Sequence, residues 1–253
     1  MRPYVLAETT LKEIKDRKIS LAVLPWGATE AHNYHLPYST DNIMVEKIAA
    51  DSAAMAWEKG AGVIVLPSIP FGVNTGQLDI LLNINLNPST QFAILNDVAD
   101  VLNRHEITRL LILNGHGGND FRQMIRELGA KYPAMFISTC NWYQSAPQAE
   151  IFENGGGHAD EMETSVMQFI APEFVRPLGE AGEGRAKTFR IKAFNEKWAW
   201  AERRWSQVTS DTGIGDPSLS TPQKGEKYYS KVVKKIGSLM TELASADIDD
   251  MYE

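Results

Sequence analysis

At 253 residues, 43% hydrophobic and 23% charged, the chain is long and apolar enough for a sizeable globular core. Its formal net charge of −7, with no basic stripe in evidence, argues against nucleic acid or an anionic membrane as a partner. A single cysteine, Cys140, excludes an intrachain disulfide, and no run reaches the ~18 apolar residues that would span a bilayer, so the expectation is a soluble, cytoplasmic protein.

In chain order, "ISLAVLPWG" (19–27) reads as a strand, followed by a helix over 41–60 with Ser39 or Thr40 as cap and Gly60 or Gly62 as terminator. "AGVIVLPSIPFG" (61–72) reads as a second strand, and "LDILLNINL" (78–86) as an extra one. A helix is predicted over 88–106 with Ser89 or Thr90 as cap, then a strand ending in a glycine turn over 108–120 and a helix over 121–132. A strand over 134–143 and a helix over 160–174 follow, and 223–243 reads as a closing helix. This alternation predicts an α/β fold: one domain over 1–253 with a mostly parallel central sheet flanked by helices on both faces. Segment 175–222, with its "KWAWAERRW" run, breaks the rhythm and is expected to form a cap over the site or an oligomer contact. Trp198, Trp200 and Trp205 are read as packing of that cap or of a subunit contact at least as readily as ligand stackers.

Ligands of parallel sheets bind beyond the carboxyl ends of the strands. Glu30 and His32 follow the first strand, and residues two apart in extended chain point the same way. Asp41 opens the next helix, His116 follows a strand within "NGHGGN", and His158 and Glu161 stand three apart at a helix entrance. Each feature alone has a plain structural explanation. Together, four of the five histidines fall at strand or helix ends rich in glycine or carboxylate, with only His105 reading as a surface residue. Mixed carboxylate and imidazole suit Zn²⁺, Mn²⁺ or Fe²⁺. Two histidines and three carboxylates exceed the three protein ligands usual for one catalytic zinc, and suit two ions sharing a carboxylate about 3.5–4 Å apart. Such a pair lowers the pKa of a bridging water and polarises a carbonyl oxygen. His35 reads as structural support and Cys140 as a small buried residue within a strand. No dinucleotide fingerprint, Walker loop or GxSxG elbow is present.

"LPWGATEAHNYHLPYSTDNIMVEKIA", "LILNGHGGN", "GGGHADEMETSVMQFIAPEFV" and "TGIGDPSLSTPQKG" together resemble the four motifs of the creatininase (creatinine amidohydrolase) family, in order and over roughly residues 20 to 230. The resemblance implies a dinuclear metallohydrolase of a cyclic or small amide, often hexameric, with members acting on creatinine or formylamino-pyrimidine nucleotides. Carried over by position, Glu30 and His116 hold one metal, His32 the other, and Asp41 bridges them. Creatininase proper supplies a further carboxylate ligand where this chain has Gly118. Glu161 is expected to fill that vacancy, with Glu163 as second choice. His158, with Glu161 beside it, is expected to be catalytic, as proton shuttle or substrate orienter. The sequence departs from the family pattern at Asn33 and Tyr34, at "FGVNTGQLDILLNINL", and at Asp160, which replaces the Gly of "HAGE". The metal framework survives these departures and the substrate-contacting parts do not match, so creatinine is a poor expectation.

The resulting expectation is a metal-dependent amidohydrolase with two divalent ions (Zn, Mn or Fe) and a small-molecule substrate, a cyclic amide or formamide, attacked by a metal-bridged hydroxide. It is expected to form a homo-oligomer, with the hexamer as one form, and to bind neither nucleic acid nor membrane. The alternatives are hydrolysis of a cyclic ketone derived from a sugar or inositol on the same centre, and a non-catalytic ligand-binding member.

Overall fold

A computed structural model describes residues 1–253. Its regular elements are β1 (Leu21–Trp26), α1 (Thr40–Glu58), β2 (Val63–Val65), α2 (Pro88–Arg104), β3 (Arg109–Asn114), α3 (Arg122–Lys131), β4 (Phe136–Asn141), α4 (Glu161–Ile170) and α5 (Pro222–Ser245). The four strands form one wholly parallel sheet in the order β2-β1-β3-β4. Ala22 of β1 lies against Ile64 and Leu110, which fixes the register of the central pair.

Both faces of a parallel sheet must be covered, so its strands carry apolar side chains in every position rather than in alternate ones. Here the alternation divides the core. Leu21, Val23, Leu111 and Leu113 join the cluster formed with α1, α4 and α5, whereas Ala22, Leu24, Trp26, Leu110 and Ile112 join α2 and α3 on the other face. Helices on both faces, as the strand–helix rhythm predicted, leave the carboxyl ends of β1 and β3 as the open edge where loops collect.

The boundaries show three differences from the sequence reading. Helix α2 is entered through Asn87 with Pro88 at its first turn, not capped by Ser89 or Thr90, because the fixed φ of proline already sets the helical conformation. Strand β2 shrinks to three residues, the prolines at 67 and 70 ending the ladder. The extra strand over 78–86 does not form. Thr75–Gln77 is a 3₁₀ turn, Leu82 has φ of 59°, and only single bridges join Ile84 to Thr29 and Asn85 to Gly72. Asn74 and Gln77 are buried and hydrogen-bonded while Leu78, Leu81 and Leu82 face outward, the reverse of what an apolar strand would do. At the far end of α1, Gly60 with φ of 84° stops the helix as expected. Segment 175–222 is mostly irregular, with short helices at Lys192–Asn195 and Trp205–Val208. No helix is long and apolar enough to cross a membrane.

Candidate metal centre

Four loops at the carboxyl edge deliver the site. The segment after β1 supplies Glu30 and His32, the first turn of α1 supplies Asp41, the turn after β3 supplies His116, and the entrance of α4 supplies His158 and Glu163. All six are buried, with exposure of 7% or less, and only His116, His158 and Glu163 reach as much as 5%. What little solvent contact the cluster has is at those three residues.

Their ligand atoms form overlapping triads: Glu30, Asp41 and His116; His32, Asp41 and Glu163; and Glu30, His32 and His158, each within 4.8 Å of one another. Asp41 divides its oxygens between two imidazoles. Oδ1 lies 3.2 Å from His32 Nε2 and Oδ2 lies 3.1 Å from His116 Nδ1, which is also 2.9 Å from Glu30 Oε1.

The remaining ring nitrogens decide what this set is built to hold. His32 Nδ1 donates to the carbonyl of Glu30 at 3.0 Å, His116 Nε2 to that of Val73 at 3.0 Å, and His158 Nε2 to that of Ala31 at 2.9 Å. A neutral imidazole has one N–H, and here each is committed to a backbone oxygen. The free lone pairs of His32 and His116 then face carboxylate oxygens, an arrangement that is repulsive unless a proton or a metal cation lies between. Carbonyl-oriented histidines beside shared carboxylates are the donor set of a divalent metal site. The residues present fit such ions.

The acid–base balance says the same. Burial opposes the charge of His32, but Asp41 and then Glu163 outweigh it and push its pKa up to about 10. Burial likewise opposes charge on His116, and Glu30 with Asp41 raises it well above the ordinary value. Burial raises the Glu163 carboxyl, with Asp41 and Asp160 adding to it, to about 8. His158 moves the other way: burial, then the neighbouring His32, lowers it to about 4, so its ring is neutral near pH 7 with Nδ1 unprotonated, 3.7 Å from Glu30 Oε1. A buried set of carboxylates balanced only by borrowed protons is one that a divalent cation would compensate better.

Comparison with known proteins now places the chain. The family model described as Creatininase: creatinine amidohydrolase matches residues 7–240. The chain belongs to the creatininase family. A solved structure from Bacteroides fragilis, provisionally assigned as a creatinine amidohydrolase, is 41% identical across 100% of both chains, with a TM-score of 0.94. A creatininase variant complexed with creatine shares the fold at 20% identity, with a TM-score of 0.79 over 94% of this chain and 98% of that one. Solved creatininases include a Zn–Zn form and a Mn form. A mycofactocin precursor peptide peptidase from Mycobacterium ulcerans is 26% identical over 83% of this chain and 80% of its own length. Its namesake from Mycolicibacterium smegmatis is 24% identical over 91% and 88%.

Within this creatininase-family site, Glu30, His32, Asp41, His116 and His158 converge, and Glu161 does not. Its buried carboxylate accepts hydrogen bonds from the backbone N–H groups of Glu153 and Asn154 and an ion pair from Lys224, away from the triads. Glu163 takes the place expected of Glu161, with one oxygen accepting from Ala159 N at 2.6 Å and lying 3.9 Å from His32 Nε2. His35 bonds Thr164 on α4 at 2.8 Å and so supports Glu163 from behind. His105 ends α2 at the surface. Cys140 lies within β4, its thiol pKa raised by burial.

The departures from the family pattern have local work. Asn33, at φ of 55°, binds Gly182 in both directions through its side chain, and its backbone N–H donates to Thr212 Oγ1. Asp160 caps α4 by accepting from Met162 N and Glu163 N. Gln77, in the turn just before the 78–86 segment, donates to Glu30 Oε2 at 2.5 Å and is itself held by Asn83. The sequence offered a signal for Gln77: polar residues interrupting an apolar run beside the expected site. Trp205 was among the candidates for packing, and its ring meets His158 edge-on at 5.3 Å.

Proposed function

We propose that this chain is a metal-dependent amidohydrolase using two divalent ions. The observation that carries this reading is the division of Asp41 between two triads, Glu30/Asp41/His116 and His32/Asp41/Glu163. Two ions held there would supply a water of lowered pKa and polarisation of a substrate carbonyl.

The chain's own groups supply the rest. Gln77 fixes the orientation of Glu30, and the carbonyls of Glu30 and Val73 fix the His32 and His116 tautomers. His158, neutral and anchored through Nε2, presents Nδ1 as the atom that takes a proton and passes it to a leaving nitrogen. Near-complete burial excludes bulk water and strengthens each of these interactions. The substrate class is a small amide, a cyclic amide or formamide, in keeping with the burial of the cluster. The two related peptidases favour a second form, a peptide bond, with the same groups in the same roles.

Elemental analysis of purified protein tests the assignment. Wild type should carry about two transition ions per chain. Asp41→Asn should lose both, Glu163→Gln one, and Glu161→Gln neither. A chain that takes up no zinc, manganese or iron sinks the proposal, and loss of an ion in Glu161→Gln but not in Glu163→Gln reverses the carboxylate assignment. A panel of cyclic amides, formamides and short peptides assayed with Zn²⁺, Mn²⁺ and Fe²⁺ then tests the reaction.

A further inference from the structure

The chain is acidic overall, yet residues 183–205 carry seven Lys/Arg against three Glu. The basic segment that whole-chain charge conceals is thus in the part of the protein that lies against the site. Two of its cations are spent in local pairs, Arg185 with Glu183 and Lys192 with Glu196. Arg203 makes no hydrogen bond or ion pair through its side chain and is solvent-exposed. Its guanidinium instead stacks over the indole of Trp205, 4.6 Å from the ring centre.

Two contacts tie Arg203 to the metal centre, one through the indole under its guanidinium and one through its backbone. Trp205 meets the His158 ring edge-on at 5.3 Å. The backbone of Arg203 also presses on the loop that orients Glu30, since a Cβ added at Gly76 would come within 2.3 Å of Arg203 O, and the next residue is Gln77. The planar N–H fork of an arginine matches a carboxylate or phosphoryl group, and no protein acceptor occupies the fork of Arg203 above the Trp205 indole. An unpaired cation beside a buried carboxylate cluster also offsets the repulsion that cluster would exert on an anionic ligand.

We infer that Arg203, stacked on Trp205, receives an anionic group of the substrate, a carboxylate or a phosphoryl group set one small-molecule length from the bond that is cut. This rests on the hydrolase reading given above and names the substrate class for it: an amide bearing a negative charge. Arg203 is on this account a specificity residue.

The test is calorimetric titration of metal-loaded protein with glutarate and, separately, inorganic phosphate, with acetamide as the neutral control. At least one anion should bind wild type. Arg203→Gln should weaken that binding by about tenfold or more, Arg203→Lys by less, because the charge stays and the fork is lost. Arg126→Gln, at an exposed position on α3, makes the same change in net charge and should leave binding unchanged. The anion that depends on Arg203 identifies the group as carboxylate or phosphoryl. Equal affinity in Arg203→Gln and wild type, which is what binding to the ions alone would give, overturns the inference, as does failure of both anions to bind wild type. If no amide in the panel is hydrolysed while Arg203-dependent binding persists, the hydrolase reading fails and the anion site stands.

Discussion

Each imidazole of the centre spends its neutral-state N–H on a backbone carbonyl, so a metal-free protein must find extra protons to separate His32 and His116 from the carboxylates they face. That requirement has a measurable consequence. A histidine raised to about 10 in the folded state stabilises the metal-free protein fully below its unfolded pKa of about 6.5, and that contribution declines as pH rises through 10. Glu163, raised to about 8, works in the same direction, being most favourable when protonated below about 4.5 and less so up to 8. Metal-free protein should therefore melt at progressively lower temperature between about pH 7 and 10, whereas the metal-loaded form should change much less over that range. Metal uptake at pH 7 should release protons, read by calorimetry in buffers of different ionisation enthalpy. A metal-free melting temperature that rises with pH, or uptake with no proton release, contradicts the geometry. At this scale the sequence was informative about which residue types meet but not about their direction. Spacing of three put His158 and Glu161 on one helix face, but His158 precedes the helix, Ala159 turns at φ of 50°, and Glu163 is the carboxylate that folds back.

Among the elements, those with strong periodicity were legible: the four strands of the sheet and the five long helices lie where apolar spacing put them, to within a few residues except for β2, which ends seven residues short of the expected 61–72. The segment over 78–86 was not. Its leucines resemble a strand because composition does not say which side chains face inward, and here Asn74 and Gln77, just before the segment, are buried by making hydrogen bonds while Leu78, Leu81 and Leu82 stay exposed. The loop carrying Glu30 and His32 shows the same kind of hidden bond at Asn33, whose side chain ties it to Gly182 and thus to the segment that brings Trp205 to His158. Asn33→Gly tests that tie cleanly, since glycine tolerates the left-handed φ and removes only the side chain. The two partly buried hydrogen bonds to Gly182, with a third from Tyr34 N to the same side chain, predict a loss of about 1–3 kcal/mol. Amide exchange at Gly182 should accelerate while exchange in β1 and β3 stays unchanged. Unaltered protection at Gly182 would show that the segment is held by other contacts.

For the molecule as a whole, the question is how a site made at one edge of the sheet depends on packing far from it. Helix α5 reaches α4 at Gly225, where an added Cβ would stand 1.9 Å from the carbonyl oxygen of Ser165, two residues beyond Glu163. One position earlier, Lys224 pairs with Glu161, so the two helices are joined by a steric contact and an ion pair side by side. Gly225→Ala sets two effects against each other. Alanine gains about 1 kcal/mol in helix propensity. The overlap is with backbone, which no rotamer change relieves, and forcing apart packed elements costs about 1–3 kcal/mol. Overpacking wins, so Gly225→Ala should lower the melting temperature by several degrees, at roughly 2–4 °C per kcal/mol for a domain of this size. It should also lower retention of the ion proposed to bind at Glu163, because α4 carries that residue. Gly129 supplies the comparison: it lies on α3, where an added Cβ meets nothing within 4 Å, so Gly129→Ala keeps only the propensity gain and should raise stability by about 0.5–1 kcal/mol. Thermal unfolding with metal content measured on the same samples reads both substitutions. If the two alanines shift stability in the same direction, the α4–α5 contact is not what holds Glu163 against the sheet.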